Sequence, residues 1–165
     1  MGFQYGNIYA NYLRLLADLI AKIEEQAGGD GSFMDARLSE DMFPLKVQAK
    51  VAVSFAIKAC ATDISRPVPD PGEKADTPQG LIDYIGEVAE LVETSYRLGM
   101  GKVNDKAGFK DVCMESGAYI NLFSLPNFFF HLSMVYAIAK NQGFFVTKGD
   151  FDGIHEYPKG FSWEV

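Results

Sequence analysis

The sequence predicts an all-α protein, an antiparallel four-helix bundle, on three observations. Apolar residues recur at helical spacing in several long segments, Gly and Pro punctuate those segments, and one stretch near the C-terminal end is apolar all round. Four helices with a fully apolar member bury most when packed as a bundle. A less regular α+β domain is the alternative.

The first helix is predicted over about Tyr5 to Gln26. Tyr9, Leu13, Leu16, Ile20 and Ile23 form its apolar face, Arg14, Asp18, Lys22 and Glu25 its polar one, and Gly28-Gly29-Asp30-Gly31 stops it. Ser32 is then placed to cap a short helical turn reaching Arg37, with Asp35 favouring the helix dipole. The second helix is predicted from near Asp41 to about Thr62. Pro44 lies in its first turn, where no backbone N–H is missed, and Leu45, Ala49, Ala52, Phe55, Ala56 and Ala59 form its stripe. Residues Ser65 to Gly72 carry three prolines and read as a loop.

The third helix has Thr77 as N-cap and Pro78 at its first position. Leu81, Ile85, Val88, Ala89 and Val92 make its buried face, with Gly99 or Gly101 closing it. Between residues 102 and 123, Phe109–Met114 and Tyr119–Phe123 are expected to pair as a small hairpin about Ser116-Gly117. Pro126 opens the fourth helix, which ends before Gly143, and the remainder to Val165 reads as an irregular tail on the bundle.

At 165 residues the chain is expected to form one domain, residues 1–165, with a sizeable core. A net charge of −7 and the lack of clustered Lys and Arg argue against nucleic acid as a partner. Cys60 and Cys113 fit neither a metal spacing nor a disulfide framework, as expected of free thiols in a reducing cytoplasm. Met1 to Gln4 carries no basic side chain, so no signal peptide is expected. Ala118 to Ala139 contains no Lys, Arg, Asp or Glu over 22 residues, close to the length of a membrane span. Asn121, Ser124, Asn127, His131 and Ser133 within it favour a helix buried in protein.

The residues that point to chemistry are polar groups on apolar faces. Gln48 falls within about 60° of Leu45, Ala52, Phe55 and Ala59 on the second helix. Asp41 shares its face if that helix reaches back so far. Asn127 and His131 are i,i+4 neighbours on the fourth helix. A buried imidazole needs partners for both nitrogens, and Asn, Gln or Asp can supply them, so a hydrogen-bonded core is weighed ahead of any active role. The Phe128-Phe129-Phe130 run would suit an apolar ligand beside the histidine. Asp150-Phe151-Asp152-Gly153 lacks the ligands of a calcium loop and reads as a capped turn.

Ala36-Arg37-Leu38, Asp41-Met42-Phe43-Pro44-Leu45, Gln48 and Leu125-Pro126-Asn127-Phe128-Phe129-Phe130-His131 resemble an uncharacterised, domain-of-unknown-function branch of the DinB/YfiT-like superfamily. The resemblance spans nearly the whole chain, to the Lys148-Gly149-Asp150-Phe151 tail. It implies a four-helix bundle, a homodimer, and in many members a divalent metal on three histidines, one on the second helix and an i,i+4 pair on the fourth. His131 matches the second of that pair, Asn127 stands in place of its partner, and Gln48 occupies the second-helix position. The metal site is therefore degenerate: no metal or other cofactor is expected, and His131 is the retained candidate ligand.

Three functions compete. The first is a pocket protein in which Asp41, Gln48, Asn127 and His131 bind a small apolar molecule, or transform it with His131 as acid–base group. The second is a divalent-metal enzyme with an atypical ligand set, His131 with Asp41 or an ordered water shell. The third is a non-catalytic structural or interaction protein. The first leads the active roles, with a small-molecule partner, no nucleic acid and no membrane.

Overall fold

The computed structural model describes residues 5–60, 67–94, 101–158 and 160–161. It is mostly helical. Helix α1 (Tyr5–Ala27) buries the predicted stripe Tyr9, Leu13, Leu16, Ile20 and Ile23, and ends at Gly28, whose φ of 62° suits glycine. A 3-10 turn, Gly31–Asp35, follows. Its cap is Asp30 rather than Ser32, because the Asp30 carboxylate accepts from the Ser32 backbone N–H. This Asp–Ser pairing closes over two residues and leaves Ser32 inside the turn.

Helix α2 (Leu45–Cys60) starts four residues later than the sequence predicts. Residues 39–42 form a turn closed by Met42 N–H on Ser39 O, and Arg37 Nη1 clamps Met42 O at 2.6 Å. The Pro44 carbonyl then accepts from the N–H groups of Val47 and Gln48, so Pro44 stands just before the helix and not within its first turn. The expected end at Thr62 lies outside the described residues, as do Ser65 and Arg66 of the loop. Helix α3 (Pro78–Glu93) begins as predicted, with Thr77 Oγ1 accepting from Gly80 N–H. It closes on Thr94; Gly101 lies beyond it and Gly99 is outside the described residues.

The hairpin exists, but elsewhere. Strands β1 (Lys102–Ala107) and β2 (Lys110–Glu115) pair antiparallel, with Ala107 opposite Lys110 about a two-residue turn, Gly108-Phe109. Gly108 has φ +62° while Phe109 does not adopt a positive φ, the pattern of a turn with glycine first. Tyr119–Phe123, expected as a strand, is instead helical.

That segment belongs to α4 (Ser116–Asn141), 26 residues in one run. Residues Tyr119–Ser124 form a π-helical turn, in which Leu125 N–H bonds Ile120 O, five residues back. Pro126 therefore does not open the helix. It has no N–H to offer, and the widened turn just before it absorbs the missing bond. After Gly143, a short helix α5 (Lys148–Asp152) has a Thr147/Asp150 capping box and Gly153 at φ 70° as its C-cap. The predicted capped turn is thus present within a tail that is otherwise irregular.

The core lies where α1 packs on α3 and α2 on α4, with α2 also touching α1 and α3 and α5 lying on α1. Helix α4 is long and apolar enough to cross a membrane by length and composition alone. It is not buried all round: Phe128, Leu132, Val135 and Ile138 face the core, whereas Leu122 is 71% and Phe130 51% exposed.

Candidate functional site

Gln48 and His131 meet between α2 and α4. Each sits on its helix's inward face, Gln48 2% and His131 9% exposed, and Oε1 of Gln48 lies 2.7 Å from Nδ1 of His131. The second half of the Gln48 amide decides how this bond is made. Its Nε2 lies 3.3 Å from the carbonyl oxygen of Phe43, a group that can only accept, so the amide must turn its NH2 there. Oε1 is left facing His131, and the Nδ1 proton donates to it. The imidazole is held in one tautomer, with the lone pair on Nε2.

Aromatic rings enclose the imidazole. Phe55, one face of α2 and seven residues beyond Gln48, stacks on it at 5.9 Å with planes 19° apart. Phe130 meets it edge-on at 5.2 Å and 86°. Burial among these groups holds the imidazole pKa below its ordinary value of 6.5, so the ring is neutral at pH 7. Among the described residues no group bonds Nε2.

The π turn fixes this wall from behind. Ser124, fully buried, donates to the Phe55 carbonyl oxygen at 3.0 Å and accepts from the Tyr9 hydroxyl at 2.7 Å. One hydroxyl thus ties α1, α2 and α4 together. Phe55 also meets Phe123 edge-on at 5.6 Å. Further along, the Tyr119 hydroxyl and Lys58 Nζ both donate to Asp105 of β1, at 2.8 and 2.7 Å, which anchors the hairpin on the helices. These bonds hold the Asp105 carboxyl below its ordinary range despite its burial.

Of the four residues expected in the site, the structure joins two. Asn127 is half-buried, and its Nδ2 donates to the Phe123 carbonyl at 2.7 Å, four residues back on the same helix. Its amide serves the π turn rather than His131. Asp41 is exposed in the turn before α2, where its carboxylate accepts from Ser39 Oγ. It shares no helical face with Gln48, because α2 does not extend back to it. Of the Phe128–Phe130 run, only Phe130 is in ring contact with His131. Phe128 packs against Tyr9 and Phe129 against Tyr12. Phe55 is the neighbour that sequence reading left among the stripe residues; its spacing of seven from Gln48 already put it on the same face.

The donor set does not fit a divalent transition metal. Among the described residues no three His, Cys, Asp or Glu side chains gather at one place. Gln48 Oε1 is used by His131 Nδ1, which leaves one imidazole nitrogen where such a metal needs three or four good donors.

The fold is that of a DinB-like protein. Among solved structures the chain is similar to a DinB family member protein from Shewanella denitrificans, with a TM-score of 0.68 and 20% identity over 91% of this chain and 90% of that one. At that identity the likeness carries the fold alone. Residues 5–152 match the family described as Domain of unknown function (DUF1993), and the chain belongs to that family. No curated protein matches the sequence.

Proposed function

We propose that this DUF1993 protein binds a small apolar molecule beside His131, whose Nε2 accepts a hydrogen bond, or a proton, from an O–H or N–H of that molecule. The observation that carries the reading is the 2.7 Å contact between Gln48 and His131. A neutral imidazole with one nitrogen pinned and the other bearing an unclaimed lone pair is poised as an acceptor and as a general base. Phe55 and the half-exposed Phe130 supply an apolar flank for the rest of the ligand. The four long helices and their pairwise packing support an antiparallel four-helix bundle as the frame.

No metal takes part in this reading, because one imidazole nitrogen beside an engaged amide makes a poor ligand set. The test is a fragment screen with phenols, aryl amines and apolar alcohols, read by the imidazole signals of His131. Binding is expected to move those signals saturably, and His131→Ala is expected to abolish it while leaving the protein folded. If the fragments leave His131 unmoved, and Gln48→Ala and His131→Ala change only stability, the pair is a structural hydrogen bond and the reading fails.

A further inference from the structure

A cavity of about 450 Å³ opens near the C-terminal end of α4, lined by Tyr136, Lys140, Phe145, Lys148, Tyr157 and Phe161 among others. It is remote from His131: Lys140 lies nine residues on, about 13 Å along the helix and on its opposite side. Its volume falls within the range that holds small organic ligands.

The lining has two kinds of group. Tyr157 and Phe161 stack with centroids 5.3 Å apart and planes 24° apart, and Tyr136 stands half-buried nearby. Tyr157 is also flanked by His155, stacked at 6.3 Å with planes 18° apart, so these rings form a built aromatic wall, while Tyr136 and the exposed Phe145 line the rest of the cavity. The charged groups are ammoniums. This is an acidic chain, with 22 Asp and Glu against 15 Lys and Arg, and Lys22, Lys46, Lys50 and Lys58 each hold a carboxylate within 2.8 Å. Lys140 holds none among the described residues. Lys148 is steered by a histidine instead: Asp152 accepts from His155 Nδ1, so the His155 Nε2 lone pair receives Lys148 Nζ at 3.2 Å. Among the described residues, the two ammoniums that line the cavity are thus left without a carboxylate partner.

We infer that this cavity binds a small aromatic anion, its ring against Tyr136 and Phe145 and its acidic group between Lys140 and Lys148. The chemistry fits an aryl carboxylate or an aryl phosphate, since an ammonium recognises either as a point charge.

Titration of the full chain with indole-3-acetate and with phenyl phosphate, followed by NMR, tests this. Saturable binding with Kd below about 1 mM is expected for at least one, shifting residues around Tyr136 and leaving His131 unmoved. The neutral indole-3-acetamide and phenol should bind more weakly. Lys140→Gln and Lys148→Gln, both at exposed side chains, should each weaken the anion by about three- to fivefold without changing the melting temperature. If only the carboxylate binds, or only the phosphate, the acidic group of the ligand is thereby assigned. Equal binding of the neutral analogues, equal binding of inorganic phosphate alone, shifts centred on His131, lysine variants that bind unchanged, or no saturable binding of either anion would each overturn the proposal.

Discussion

Ser124 Oγ donates to the carbonyl oxygen of Phe55 at 3.0 Å, across 69 residues of sequence. Phe55 is also the ring on which His131 lies. A buried serine in an irregular helical turn therefore sets the height of the surface that packs against the candidate functional imidazole. Ser124→Ala takes from the Phe55 carbonyl the bond it accepts beyond its helical one and leaves the buried Tyr9 hydroxyl without the acceptor it has here. A loss of about 1–3 kcal/mol in urea unfolding is expected. Because Tyr9 and Ser124 share one bond, Tyr9→Phe in the Ser124→Ala background should cost less than it does alone, a coupling that a double-mutant cycle measures.

The imidazole is buried neutral, which gives folding a pH dependence of definite sign. Its pKa in the folded protein lies below the ordinary 6.5 that it regains on unfolding. The unfolded chain therefore binds the extra proton first. This contribution to stability is complete above about pH 6.5 and is lost as pH falls from there through the lower folded value. Unfolding of the wild type and of His131→Phe between pH 5 and 8 should show the wild type losing more stability on the acid side.

Gln48 offers a sharper variant. Gln48→Glu replaces the neutral acceptor with a carboxylate at 2.7 Å from Nδ1, where an opposite charge favours imidazolium. NMR titration should show the His131 pKa rising relative to the wild type. Gln48→Ala removes the acceptor altogether and should destabilise the protein by about 1–3 kcal/mol.

A fourth prediction concerns the entry to α3. A Cβ at Gly80 would stand 1.8 Å from the Lys74 carbonyl oxygen, which belongs to backbone and cannot swing aside. Gly80→Ala should destabilise the chain by about 1–3 kcal/mol although alanine is the better helix former. Gly86→Ala, with open space at its Cβ, serves as the control and should stabilise or leave unchanged.

The helices were legible where periodicity and caps agreed. Tyr9 to Ile23 and Leu81 to Val92 repeat at helical steps, and Thr77-Pro78 marks a start that only a helix uses. The region before Pro126 was illegible for a physical reason. Tyr119–Phe123 is a short apolar run that suits a strand or a buried helix equally, and proline normally signals a helix start. The π turn, which lets one helix run through Pro126, has no sequence signature of its own. The strands were obscured in turn because Lys102–Ala107 carries a single strongly apolar residue, Val103, among polar ones.

The site was half legible. Gln48 and His131 stood out as polar residues on apolar faces, but their meeting depends on how α2 and α4 pack, which no local pattern encodes. Asp41 was placed with them by extending α2 too far back. Asn127 was placed with them by spacing alone, while its amide finds a nearer acceptor in the Phe123 carbonyl.

The central claim is that burial keeps His131 neutral while Gln48 fixes its proton on Nδ1, leaving a lone pair on Nε2. Two-bond nitrogen–proton correlation spectra of uniformly nitrogen-15-labelled protein at pH 7 read this directly. The account predicts, for His131, an Nδ1 that carries the proton and an Nε2 with the shift of an unprotonated ring nitrogen. A proton on Nε2, or a charged ring with both nitrogens protonated, would contradict it.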